Sequence, residues 1–112
     1  MNVEKLTISH ALSQLPTATG EQFINVLNHG TLEIEMYAPK GHDPQTPHDK
    51  DEVYIIAAGS GWFVNGKSRH PFETGQVLFV AAGVEHRFEN FTDDFSTWVI
   101  FYGPKGGESN EK

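Results

Sequence analysis

The sequence predicts an all-β fold, an antiparallel sandwich or barrel preceded by one short helix. Three observations carry that prediction. Apolar residues come in short alternating bursts rich in aromatics, with eight Phe, three Tyr and two Trp among 112 residues, as half-buried strands require. Turn signals recur about every eight to twelve residues, the rhythm of short strands in a sandwich or barrel. No helical period separates those strands, which argues against a βαβ arrangement.

The elements follow in chain order. Ile8, Leu12 and Leu15 share one helical face, with Thr7 and Ser9 as available caps and Pro16 as a stop. Residues 1–20 are therefore expected to form an N-terminal segment with a short helix docked on the main domain. "QFINVL" and "TLEIEMYA" read as strands joined at "NHG". In the second, Leu32, Ile34 and Met36 alternate with Glu33 and Glu35, which fits a strand with one wet face. "PKGHDPQTPHDKD" is a loop, and its Asp43, Asp49 and Asp51 read as solvated charges. Val53 to Ala58 is apolar enough for an interior strand. Asn65-Gly66 between extended stretches signals a type I′ hairpin. "VLFVAA", "GVEHRFEN" and "FSTWVIFYG" supply the remaining strands, with "FETGQ" as a turn before them. The main domain is expected over 21–104, and 105–112 reads as a frayed polar tail.

Composition excludes several function classes. The formal net charge of −7, with Lys and Arg scattered, argues against nucleic acid as a partner. No apolar run approaches a membrane span, and the N-terminus lacks a secretory pattern, so a soluble cytoplasmic protein is expected. Cysteine is absent, which rules out disulfides and thiol catalysis and restricts any metal site to His and carboxylate ligands.

His48 and Glu52 stand four apart at the entry to the Val53–Ala58 strand. On an extended chain they face the same side of a sheet. Two polar groups aimed at a sheet interior need a partner, and a metal ion is one such partner.

Two stretches of this chain resemble the motifs of the cupin family. Gly41, His48, Glu52 and Gly59 follow the first, with Thr46 where the family carries an earlier histidine. Gly75, "QVLFV", Ala81-Ala82-Gly83, His86 and Asn90 follow the second, with Ala81 in place of proline. The resemblance covers about residues 30 to 103, and the stretch between the motifs is short, as in small single-domain members. It implies a double-stranded β-helix, the jelly-roll barrel, holding a divalent metal (Fe, Mn, Zn or Ni) on His48, Glu52 and His86. Two histidines and a carboxylate form a facial triad with open positions, and Gln45 or Thr46 stands as a fourth ligand. Alternation from Glu52 and His86 sets Tyr54, Ile56 and Phe88 as pocket walls, for a mostly apolar ligand. The family likeness implies a metal-dependent enzyme of dioxygenase or isomerase/lyase type acting on a small organic substrate. The alternative is a non-catalytic small-ligand binder or sensor, with or without metal. It also implies a homodimer in which edge strands or the N-terminal segment of one chain cover the other.

Overall fold

The computed structural model describes residues 5–109. Helix α1 spans Ile8–Ser13, and strands β1 to β8 span Phe23–His29, Leu32–Tyr37, Asp51–Ala58, Ser60–Asn65, Ser68–Glu73, Val77–Val80, His86–Glu89 and Ser96–Tyr102. Every pairing is antiparallel. One sheet has five strands in the order β1-β2-β8-β3-β6, the other three in the order β5-β4-β7. This is the two-sheet jelly-roll expected from the sequence.

The inner faces meet over an aromatic core. Tyr54, Phe63, Phe72, Phe88 and Phe95 are all at most 2 % exposed. Phe88 is the hub, with ring centroids 4.7 Å from Phe95, 4.8 Å from Phe63 and 4.9 Å from Tyr54. Tilted and edge-on rings at such distances add attraction beyond the area they bury.

Thr7 caps α1, its Oγ1 accepting from the His10 amide at 3.2 Å. The helix packs against β2 and buries Ala11, while Ile8 stays 40 % exposed. The hairpin between β4 and β5 also differs from expectation. Asn65 pairs with Ser68, so Gly66 and Lys67 form the loop. Gly66 takes φ +61° and Lys67 does not enter positive φ, the pattern of a type II′ rather than a type I′ turn.

The polarity of β2 is inverted relative to a strand with its charged side in solvent. Glu33, Glu35 and Tyr37 pair with Phe101, Val99 and Thr97 of β8, the inward-facing set. The apolar side chains instead face outward. Phe79, Val53, Ile100 and Ile34 form one registered row across the five-stranded sheet, and Val77, Ile55, Trp98 and Met36 form the next. Met36 is buried, but Val77 and Phe79 are 63 % and 50 % exposed.

The tail after β8 is tied down through Glu108. Asp51, 4 % exposed, accepts from the amides of Ala82 at 2.9 Å and Glu108 at 2.8 Å. The Gly106 amide donates to the Asp49 carbonyl at 2.7 Å. Asp51 is thus a buried clamp and no solvated loop charge, because two backbone N–H groups supply what water would. Residues 110–112 lie outside the described residues.

Candidate functional site: a His–Glu–His cluster at the barrel mouth

Three elements converge on the site. His48 lies near the end of the long loop before β3, Glu52 is the second residue of β3, and His86 opens β7 in the opposite sheet. The Gly83 amide donates to the His48 carbonyl at 2.7 Å, so the turn that delivers His86 is fastened to the loop that delivers His48. Glu52 and His86 are 1 % and 2 % exposed, whereas His48 is half-buried and reaches the open side.

Glu52 Oε1 lies 2.9 Å from His48 Nδ1 and 3.0 Å from His86 Nε2. One donor atom from each of the three residues falls within 4.8 Å of the others. His86 Nδ1 sits 2.9 Å from the Val84 carbonyl. A carbonyl can only accept, so this contact assigns the proton of the neutral ring to Nδ1 and leaves a lone pair on Nε2. That lone pair points at a carboxylate. Among the described residues neither His86 Nε2 nor Glu52 Oε2 has a hydrogen-bond partner, although both are fully buried; the 3.0 Å approach is a charge contact off the hydrogen-bonding direction. Two electron-rich atoms in this arrangement call for a proton or a cation between them.

The electrostatics agree with that demand. Burial alone would push Glu52 up, but the hydrogen bond with His48 and the close approach of both imidazoles outweigh it and hold the carboxyl below its ordinary value. Burial alone would push His86 down, yet Glu52 and the Val84 carbonyl reverse this and raise it. The set also fits a divalent ion. Ligands about 2.1 Å from one ion and at right angles are about 3 Å apart, the spacing Glu52 Oε1 shows to both imidazoles.

Asp43 supports this cluster, and its role was not read from the sequence. Its carboxylate accepts from the Tyr37 hydroxyl, from the Gln45 amide at 3.2 Å, from Gln45 Nε2 at 2.7 Å and from the Phe88 amide at 2.9 Å. The Asp43-Pro44 step, with its bond to the amide two residues on, is an Asx-turn and was the available signal. Its reach to β7 is long-range and leaves no local trace. Gln45, in turn, accepts from the Tyr54 hydroxyl at 2.9 Å. Both ends of the Gln45 side chain are therefore engaged. Burial foremost, with Glu52 adding to it, raises the Tyr54 phenol well above its ordinary value and keeps it a neutral donor.

A pocket of about 450 Å³ opens beside His48. Its walls are Glu33, Glu35 and Tyr37 of β2, Val99 and Phe101 of β8, Phe23 at the rim, and loop residues including Gln45, Thr46 and Lys50. Tyr54, Ile56 and Phe88 face inward as alternation requires, but they pack in the aromatic core and do not line this pocket. The reason is geometric: the space beneath His86 is filled by rings, and the opening lies toward β2. The pocket surface is nonetheless mostly apolar, as expected, with its polar groups supplied by β2 and the loop rather than by β3 or β7. Lys50 Nζ is 3.2 Å from Glu33, whereas among the described residues Glu35 has no such ion pair. Burial and the neighbouring Glu33 raise the Glu35 carboxyl above its usual range.

Two antiparallel sheets folded over a buried His–Glu–His cluster define a class, the double-stranded β-helix with a candidate metal centre at its mouth. The family within that class is shown by comparison: the cupin domain family matches residues 33–102, and the chain belongs to it. Among curated proteins, the chain is 29 % identical over 85 residues to an uncharacterised protein of Streptomyces coelicolor, covering 74 % of this chain and 81 % of that one. It is 35 % identical over 71 residues to the HTH-type transcriptional activator RhaS of Yersinia pestis, covering 63 % of this chain and 26 % of the activator. This chain thus spans about a quarter of RhaS. Among solved structures, an RmlC-like cupin with a double-stranded β-helix fold from Methanocaldococcus jannaschii superposes with a TM-score of 0.65 at 16 % identity, covering 91 % of this chain and 90 % of that one. Among the described residues no helix is long and apolar enough to cross a membrane.

Proposed function

We propose that this cupin holds a divalent metal on His48, Glu52 and His86 and acts as a metal-dependent enzyme, of dioxygenase or isomerase/lyase type, on a small organic substrate in the adjoining pocket. The observation that carries the reading is the pair of buried, unpartnered atoms, His86 Nε2 and Glu52 Oε2. Such groups are costly when left alone. When bound, iron, manganese, zinc or nickel would supply Lewis-acid or redox chemistry at positions the three ligands leave open.

The chain's own residues do the rest. The Val84 carbonyl fixes the His86 ring and keeps its Nε2 basic. Asp43 and Tyr54 clamp Gln45 and hold the loop ahead of His48. Because Gln45 is engaged at both ends, Thr46, exposed on the pocket wall, is the better fourth ligand of the two. Phe101, whose ring lies 5.0 Å from that of His48, shields the cluster on the pocket side.

A second reading is a non-catalytic sensor that binds a small ligand, and the match to a transcriptional activator favours it. Metal content together with redox behaviour separates the two, since an oxygenase needs a redox-active metal and a binder needs none. Protein purified without a histidine tag would be assayed for bound metals, then titrated calorimetrically with Fe²⁺, Mn²⁺, Zn²⁺ and Ni²⁺. The enzyme reading expects one ion per chain. His48→Ala, Glu52→Ala and His86→Ala should each lose at least about a hundredfold in affinity, more than removal of an outer support costs. Undiminished uptake by all three would remove the site.

The working unit in this reading is a homodimer. The exposed Val77 and Phe79, at the β6 end of the outward apolar rows, support it.

A further inference from the structure

The pocket beside the cluster is lined by carboxylates that the proposed metal site does not use. Glu33 and Glu35 project into it from the same face of β2. Glu33 is neutralised by Lys50 at 3.2 Å. Glu35 is half-buried, and no described residue hydrogen-bonds or ion-pairs with its carboxylate. Three neighbouring donors are engaged elsewhere. The Tyr37 hydroxyl donates to Asp43, the Gln45 amide donates to Asp43, and the Tyr54 hydroxyl donates to Gln45. With these three donors committed, the Glu35 carboxylate is left an open, partly desolvated acceptor in the pocket wall, which is costly unless water or a ligand supplies the donor. The apolar part of the lining includes Phe23, Val99 and Phe101, and Thr46, His48 and Lys50 stand across the pocket on the loop. A pocket of about 450 Å³ is within the range that holds a small organic molecule.

We infer that Glu35 is the specificity-determining residue of this pocket, selecting a small carboxylate-bearing ligand whose far end carries a hydrogen-bond donor, an ammonium or a hydroxyl. The inference rests on the metal reading above, since the ligand's carboxylate faces the His48–Glu52–His86 centre. An apolar chain between the two ends lies against Val99 and Phe101. A ligand with a second carboxylate is rejected, because it would meet Glu35 with like charge.

The probes are ω-amino, ω-hydroxy and unsubstituted straight-chain carboxylates of three to six carbons, with the dicarboxylates of the same lengths. Each is titrated into wild-type protein loaded with one Mn²⁺ per chain. The best amino or hydroxy acid should bind about tenfold more tightly than the unsubstituted acid of its length, as a hydrogen bond to a charged group gives. Dicarboxylates should bind worst. Whether the amino or the hydroxy series leads identifies the donor. In Glu35→Gln the advantage should shrink to within about twofold and the dicarboxylates should recover. Equal binding of substituted and unsubstituted acids by the wild type would overturn the inference whether or not the variant folds, as would an advantage that survives in Glu35→Gln. Metal uptake is read separately in the same titrations. A failure to load Mn²⁺ sinks the metal reading and the Glu35 proposal with it; loading without discrimination sinks Glu35 alone.

Discussion

Asp43 illustrates how one side chain can organise a site without belonging to it. Its two oxygens accept from four donors on the loop, β2 and β7. Replacing it with alanine strips acceptors from the Tyr37 hydroxyl and the Phe88 amide, two groups away from water. Asp43→Ala is expected to cost about 3 kcal/mol in urea unfolding, from two stranded donors at about 1–3 kcal/mol each. Metal affinity should weaken with it, because Gln45 loses its anchor. A variant as stable as the wild type would show that water takes over these bonds. At this scale, what the sequence revealed depended on range. Glu52, Tyr54 and Ile56 share a face because alternation is a local property, and the bulge in β3 falls only after Ile56. Where the pocket lies relative to that face is set by which strand closes over it. The place of Glu35 in the pocket wall therefore left no trace in the sequence, and Asp43 showed only its local Asx-turn.

Strands and turns were legible in number and order, since eight short runs bounded by turn residues leave little else to form. Two features were not. The outward apolar face of β2 could not be told from an inward one, because the period of two fixes alternation and leaves direction open. The fastening of the tail to Asp51 also escaped, because it uses backbone amides that any sequence carries. One glycine reports a constraint on β4 that composition hides. Gly61 has no positive φ, yet a Cβ there would lie 2.8 Å from Phe91 Cα and 3.0 Å from the Glu89 carbonyl oxygen. Both are backbone atoms and cannot swing aside. Gly61→Ala is expected to destabilise by about 2 kcal/mol through overpacking, read as a lowered denaturation midpoint with unchanged m-value. A neutral result would mean that the chain after β7 shifts freely.

At the scale of the molecule, the two-sheet fold followed from strand count, turn spacing and the motif pair, and the sequence reading of a cupin holds. Assembly is the open property that the fold itself raises. A sheet face meeting water ordinarily alternates in polarity with the core face, yet here both faces of β3 and β8 are apolar. A face of this kind suits an isologous contact, in which each row meets its own copy about a two-fold axis. Sedimentation should give twice the chain mass of 12.5 kDa, and Val77→Lys with Phe79→Lys should shift it to the monomer. Both positions are exposed in the single chain, so the fold should survive. A wild-type monomer, or a dimer indifferent to the double substitution, would leave that face without this role.

The central claim is that His48, Glu52 and His86 hold one metal ion. Anomalous diffraction from crystals grown with manganese and recorded on the low-energy side of the iron edge locates the ion without reference to any activity. The account predicts one strong peak per chain, within about 2.0–2.3 Å of a nitrogen of each histidine and an oxygen of Glu52. No peak at the barrel mouth, with His86 Nε2 and Glu52 Oε2 bridged by water alone, would contradict it.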